Sequence, residues 1–209
     1  MRTITVHHNI YKYNELSDKA KNKAKEWYLG CQEPSIFEDM VNVDLKHLFG
    51  MDNDLRVQFS LSYCHCDGLN IYGELPIDKF IECIENEAAE ELKKYKGYLT
   101  EEEKNTILDY AGYAPYIRLP ENTRYCYCTT MYANWYEHLL DCELYECVEE
   151  VDEELIDKFN DLVCNAMTTL CKCREEDGYN FFYKVDDDTM EDMCAANEWE
   201  FYEDGSIYC

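Results

Sequence analysis

Apolar and polar positions repeat in several distinct rhythms along this 209-residue chain, and each rhythm predicts an element. Thr3–Val6 alternates and predicts a short strand. In LSDKAKNKAKEWYL, the positions Leu16, Ala20, Ala24, Trp27 and Tyr28 fall on one helical face, with Ser17 as N-cap and Gly30 as terminator. Lys19, Lys21, Lys23 and Lys25 occupy the rest of that helix and read as a solvated face. A second helix over 36–49 rests on Phe37, Met40, Val41, Val43, Leu45 and Leu48. LRVQFSLSY then alternates strictly, with Val57, Phe59, Leu61 and Tyr63 on one face of a half-buried strand. LNIYGE supplies its return partner. A three-residue loop Cys66-Asp67-Gly68, with Gly68 left-handed, pairs His65 with Leu69 and Tyr63 with Ile71. A two-residue loop would divide the aliphatics between both faces, so the longer loop is preferred.

Beyond Pro76, Ile77, Phe80, Ile81, Ile84, Ala88, Leu92 and Tyr95 predict one continuous helix lying across the hairpin. Thr100 and Glu103 form a capping box for a helix over 101–110. Pro120-Glu121-Asn122 reads as a turn between strands Tyr116–Leu119 and Thr123–Met131. A long helix over 152–173 has Val151, Leu155, Phe159, Leu162, Val163, Ala166 and Leu170 as its apolar stripe. A short helix follows over 189–196, with Asp188 and Glu191 as a capping-box variant and Asn197 as terminator. Asp204-Gly205 then predicts a terminal hairpin. The expected fold is α+β: an antiparallel sheet with packed helices and an acidic helical C-terminal part. Residues 1–140 form the sheet-and-helix core, and 141–209 pack on it as an acidic helical segment with a terminal hairpin.

Charge changes this picture more than size does. The formal net charge is −26, and residues 141–209 hold 22 acids against four bases, whereas residues 1–30 hold six bases and three acids. Such a chain lacks the basic face that displaces counterions from nucleic acid, and it is repelled by anionic membranes. MRTITVHHNIYKYNEL has no apolar stretch of the signal-peptide kind, so a cytoplasmic location is expected. Most of the 13 cysteines are then expected to be reduced thiols.

Chemical motifs are sparse. No P-loop, dinucleotide glycine fingerprint or H-E-x-x-H occurs, and the five histidines sit in no nucleophile motif, so a non-enzymatic protein without a cofactor is expected. Cys64, Cys66, Cys126 and Cys128 form two C-x-C pairs. On neighbouring strands they are weak candidates for a four-thiolate metal site, since zinc sites prefer longer spacers. Asp186-Asp187-Asp188 lacks the glycine and spacing of a calcium loop and reads as a helix-start cluster.

VQFSLSYCHCDGLNIYGE, NEWEFYEDGSIY and YKYNELSDKAKNKAKEWY together resemble a family of small acidic proteins encoded by phages and prophages, some labelled antitoxin-like. Many relatives have Gln-Gly where this chain has His65-Cys66, which places those two residues in a variable turn. The resemblance implies a counter-defence protein of the anti-CRISPR type. Its partner would be a host defence protein such as a Cas nuclease, bound through a DNA-mimicking acidic surface. The candidate residues are Glu149, Glu150, Asp152, Glu153, Glu154, Asp157, Asp186, Asp187, Asp188, Glu191 and Asp192. An antitoxin that neutralises a partner toxin and a cysteine-ligated metal-binding module are the rival expectations.

Overall fold

The computed structural model describes residues 1, 2, 4, 6–64, 67–121, 133, 135, 139 and 151–208. The α+β class holds: the chain combines helices with a small three-stranded antiparallel sheet and a two-stranded antiparallel ribbon near the C-terminus. Contacts divide the chain into one unit of residues 1–34 and 178–209 and another of residues 35–177, a division unlike 1–140 and 141–209. Among the described residues no helix is long and apolar enough to cross a membrane.

In the first unit, a 3-10 turn at Tyr13–Glu15 leads into helix α1 (Asp18–Gly30). Ser17 caps α1 by accepting the Ala20 amide at 3.4 Å. Ala20 and Ala24 are buried, with Trp27 and Tyr28 half-buried beside them, on the face their spacing predicts. The C-terminal half of the unit supplies the opposing wall through Met190, Cys194 and Phe201. Of the expected strand Thr3–Val6, Ile4 and Val6 belong to no strand and are exposed, and Thr3 and Thr5 lie outside the described residues. Tyr11 instead forms a two-hydrogen-bond bridge with Phe201, which ties the two ends of the chain together.

The second unit begins with α2 (Pro34–Phe49), which buries Phe37, Val41, Leu45 and Phe49 but leaves Met40 and Val43 outside. Strands β1 (Arg56–Ser60), β2 (Gly68–Pro76) and β3 (Tyr116–Leu119) form an antiparallel sheet in that order. The hairpin register corrects the expected one, because Leu69 pairs with Phe59 and Ile71 with Val57. The parity is unchanged, so the aliphatics still share a face, where Leu69 and Ile71 are fully buried. The connection is wide because Asp67 gathers it: its carboxylate accepts the amides of Ser62 (2.6 Å) and Cys64 (2.9 Å). Gly68 is thereby freed from the turn and pairs with Ser60 as the first residue of β2, and Tyr63, expected on the apolar face, is exposed with φ +58°.

Pro76 ends β2 and leads directly into α3 (Ile77–Glu85). The continuous helix expected to Tyr95 stops here. Glu87 adopts φ +54°, and the Ala88 and Glu87 amides donate to the Cys83 and Ile84 carbonyls. This 6→1 and 5→2 pair is a Schellman stop with glutamate in the place usually taken by glycine. A 3-10 segment over Glu90–Tyr95 still buries Leu92, so the apolar stripe survives the break.

Helix α4 (Glu101–Ala111) carries the expected capping box, with the Glu103 amide donating to Thr100 Oγ1 and the Thr100 amide to Glu103. Helix α5 (Glu153–Tyr183) extends ten residues beyond the expected end at 173, and from Gly178 it belongs to the first unit. Within the second unit, Phe159 of α5 meets Phe80 of α3 and Trp135, with centroids 6.0 and 5.4 Å away. The expected strand Thr123–Met131 lies outside the described residues.

Candidate functional site

Burial fixes which side of α5 faces out. Leu155, Ile156, Phe159, Leu162, Val163, Ala166, Met167 and Leu170 turn inward, so the opposite arc presents Glu153, Glu154, Asp157 and Asp161 to solvent. Asp152 starts the helix: its carboxylate accepts the Leu155 amide at 2.9 Å, and its own amide donates to the Tyr110 hydroxyl at 3.0 Å. That bond anchors the acidic turn to α4. The nearest cation in sequence, Lys158, is already committed to Glu103 at 2.6 Å and lies over the Tyr98 ring. Among the described residues, Glu153, Glu154, Asp157 and Asp161 have no ion-pair partner.

The second acidic cluster lies in the other unit, and much of it is engaged in holding that unit together. Asp186, not Asp188, caps α6 (Asp187–Ala196), accepting the Thr189 amide at 2.7 Å. The side chain two residues earlier wins because the helix begins two residues earlier than its sequence signature. Asp187 receives the Tyr13 hydroxyl and the Lys25 ammonium, each at 2.6 Å. Glu191 accepts the Asn14 side-chain amide at 2.9 Å. Asp188 and Asp192 are exposed and have no ion-pair partner among the described residues. Glu149 and Glu150 lie outside the described residues.

These contacts also revise the lysine face of α1. Lys25 holds Asp187, Lys23 holds Asp204 at 2.6 Å, and Lys21 lies 5.3 Å from the Tyr13 ring centroid. The sequence carries both charges of each pair, but they stand more than 150 residues apart, and only folding identifies them as partners.

The same contacts shift the titration of the acids. The Lys25 ammonium and then the Tyr13 hydroxyl hold the Asp187 carboxyl below its ordinary value, and Lys23 with Ser206 does so for Asp204. Burial, reinforced by Asp187, raises the Tyr13 phenol. A carboxyl with a depressed folded-state pKa gives its full stabilisation above the unfolded value of about 4 and loses it as pH falls further. Thermal midpoints are therefore expected to lose this contribution below about pH 4. Lys25→Met should lower the midpoint at neutral pH and flatten part of the acid-side decline. A Lys25→Met profile parallel to the wild type would show that the pair contributes nothing.

Of the four cysteine candidates, only Cys64 lies among the described residues. Cys64 is exposed, and its thiol donates to Asp67 at 3.0 Å. Asp67 is itself saturated by amide and hydroxyl donors of its loop. Cys66, Cys126 and Cys128 lie outside the described residues. Among those described, no group of three His, Cys, Asp or Glu side chains is placed to hold a metal ion. Burial pushes the Cys83 and Cys194 thiols up to about 11 and Cys171 up to about 12, which keeps these sulfurs protonated and poorly nucleophilic.

Asp161 was not among the residues picked from sequence. Its signal was the four-residue spacing from Asp157, which places both on one helical arc. No family model, curated protein or solved structure matches this chain.

Proposed function

We propose that this chain is a non-enzymatic inhibitor of the anti-CRISPR type, which occupies the nucleic-acid groove of a host defence nuclease with the outer carboxylates of α5. The observation that carries this reading is the exposed row Glu153, Glu154, Asp157 and Asp161, without ion-pair partners among the described residues. From Glu153 to Asp161 the helix rises about 12 Å. Four charges over that length give about one per 3–4 Å, close to the 3.4 Å per charge of a single DNA strand. The row is rigid, because the other side of the helix is packed into the core.

Such a surface associates quickly with a basic groove at low salt and more slowly as salt screens the attraction. Asp186, Asp187 and Glu191 have a smaller part, since their carboxylates already hold groups within their own unit.

The test is target-DNA binding by a panel of guide-loaded CRISPR nucleases, with and without the protein. One nuclease is expected to lose DNA binding. The triple reversal Glu153→Lys, Asp157→Lys, Asp161→Lys should weaken that inhibition by about 100-fold, while Asp188→Lys, Asp192→Lys changes it little. Inhibition that survives the triple reversal, or a panel in which no nuclease is inhibited, would sink the reading.

A further inference from the structure

Helix α2 carries apolar residues on two sides, and the fold uses one. Phe37, Val41, Leu45 and Phe49 enter the core, while Ile36, Met40 and Val43 remain 48%, 52% and 51% exposed. His47, also exposed, continues their line. The spacing of Ile36, Met40, Val43 and His47 alternates four, three, four, which is the seam of a short coiled coil. A helix apolar on both sides ordinarily has both covered. We propose that the second side of α2 is an interface between two copies of this chain, with the helices antiparallel.

Charge on the flank selects that occupant and that direction. Asp39 and Lys46 stand one heptad apart on the same side of the seam; both are exposed, and neither has an ion-pair partner among the described residues. In an antiparallel pair, Met40 meets Val43 of the second copy and Ile36 meets its His47. Asp39 then faces Lys46 of the second copy, and the two-fold symmetry repeats that attraction. A parallel pair would set Asp39 against Asp44 of the second copy, twice, and like charges there are repulsive. The far flank is unavailable for pairing: Phe37 is buried, and Asp44 is turned to Arg174 of its own chain.

Two heptads cover less than the ~1,200 Å² of a standard interface. Two chains of −26 also repel each other. The dimer is therefore weak, and it strengthens as salt screens the net repulsion.

Sedimentation equilibrium of the full chain across a concentration series tests this. The wild type should show a reversible monomer–dimer equilibrium that shifts toward dimer with added salt. Met40→Glu places two carboxylates in the seam and should leave only monomer, with an unchanged melting temperature because Met40 is half exposed in the monomer. Asp39→Lys should weaken the dimer about tenfold by turning two attractions into repulsions. Adding Lys46→Asp to it should return the constant to within about threefold of wild type, since the pairs reform with their signs exchanged. A wild type that stays monomeric at every concentration, a dimer indifferent to Met40→Glu, or a double reversal without recovery each overturns the proposal. The seam shares no residue with the α5 row, so the double reversal should leave nuclease inhibition as it is.

Discussion

Gly205→Ala is expected to destabilise the first unit severely, far more than a left-handed alanine alone would. Gly205 has φ +83°, and a Cβ there would lie 2.1 Å from the Ala20 carbonyl oxygen and 2.8 Å from Ala20 Cα. Those atoms are helix backbone at a buried position, so no flexible side chain can yield. The hairpin tip would have to lift from α1, breaking the Lys23–Asp204 pair and opening the core around Phe201. A left-handed alanine alone costs about 1 kcal/mol. With the clash, the expected loss is about 3 kcal/mol or more.

Gly97→Ala separates the two contributions, because Gly97 has φ +71° but nothing within 4 Å of its Cβ position. It should cost only about 1 kcal/mol. Near-UV circular dichroism reads the first unit, where Trp27 and Trp199 pack edge to face with centroids 5.0 Å apart, and far-UV circular dichroism reads the helices of both units for the two variants. Equal melting temperatures for the two glycine variants would show that the hairpin tip does not bear on α1.

The second large effect is expected at Arg174. Its guanidinium lies 2.7 Å from Asp177, 3.1 Å from Glu91 and 3.6 Å from Asp44, with only 18% of the side chain exposed. One cation thus binds α2, the 3-10 segment and α5 within the second unit. Arg174→Ala leaves Glu91, itself 17% exposed, as a nearly buried carboxylate without its counter-charge. Removing one member of a buried charge group in this way costs about 3–5 kcal/mol. Arg174→Lys keeps the charge but not the planar fork, so it should cost less.

Adding Glu91→Gln to Arg174→Ala should restore part of the loss, because the orphaned charge disappears with it. Denaturant unfolding of the three variants measures the loss and its partial recovery. A cost for Arg174→Ala under 1 kcal/mol would mean that the three acids reach solvent without it.

Much of the candidate site was legible before folding, wherever the cause was local. Ser17, Thr100 and the Glu103 capping box, the α5 stripe and the Asp204-Gly205 turn all rest on contacts within a few residues. The acidic row at Glu153, Glu154 and Asp157 follows from the same stripe, because a helix that buries one arc must present the other. The structure departs from the sequence expectations where distant or nonstandard partners decide. Periodicity carried α3 through to Tyr95, but a glutamate at φ +54° ended it at Glu85. The hairpin pattern predicts a tight loop, whereas the Asp67 carboxylate gathers the amides of Ser62 and Cys64 into a wider one.

The α+β class, most of the helix starts, the shared face of the hairpin aliphatics and the concentration of acid toward the C-terminus can all be read from linear order. Each depends on periodicity, capping or composition, which act over a few residues or none. Which charges are already used emerges from folding alone. It set Lys23 and Lys25 against acids from the far end of the chain and placed Arg174 among three carboxylates. It also left Glu153, Glu154, Asp157 and Asp161 outward and buried one apolar side of α2 while leaving the other bare. The physical reason is that an ion pair or a packed face needs two surfaces, and linear order does not reveal which surfaces meet.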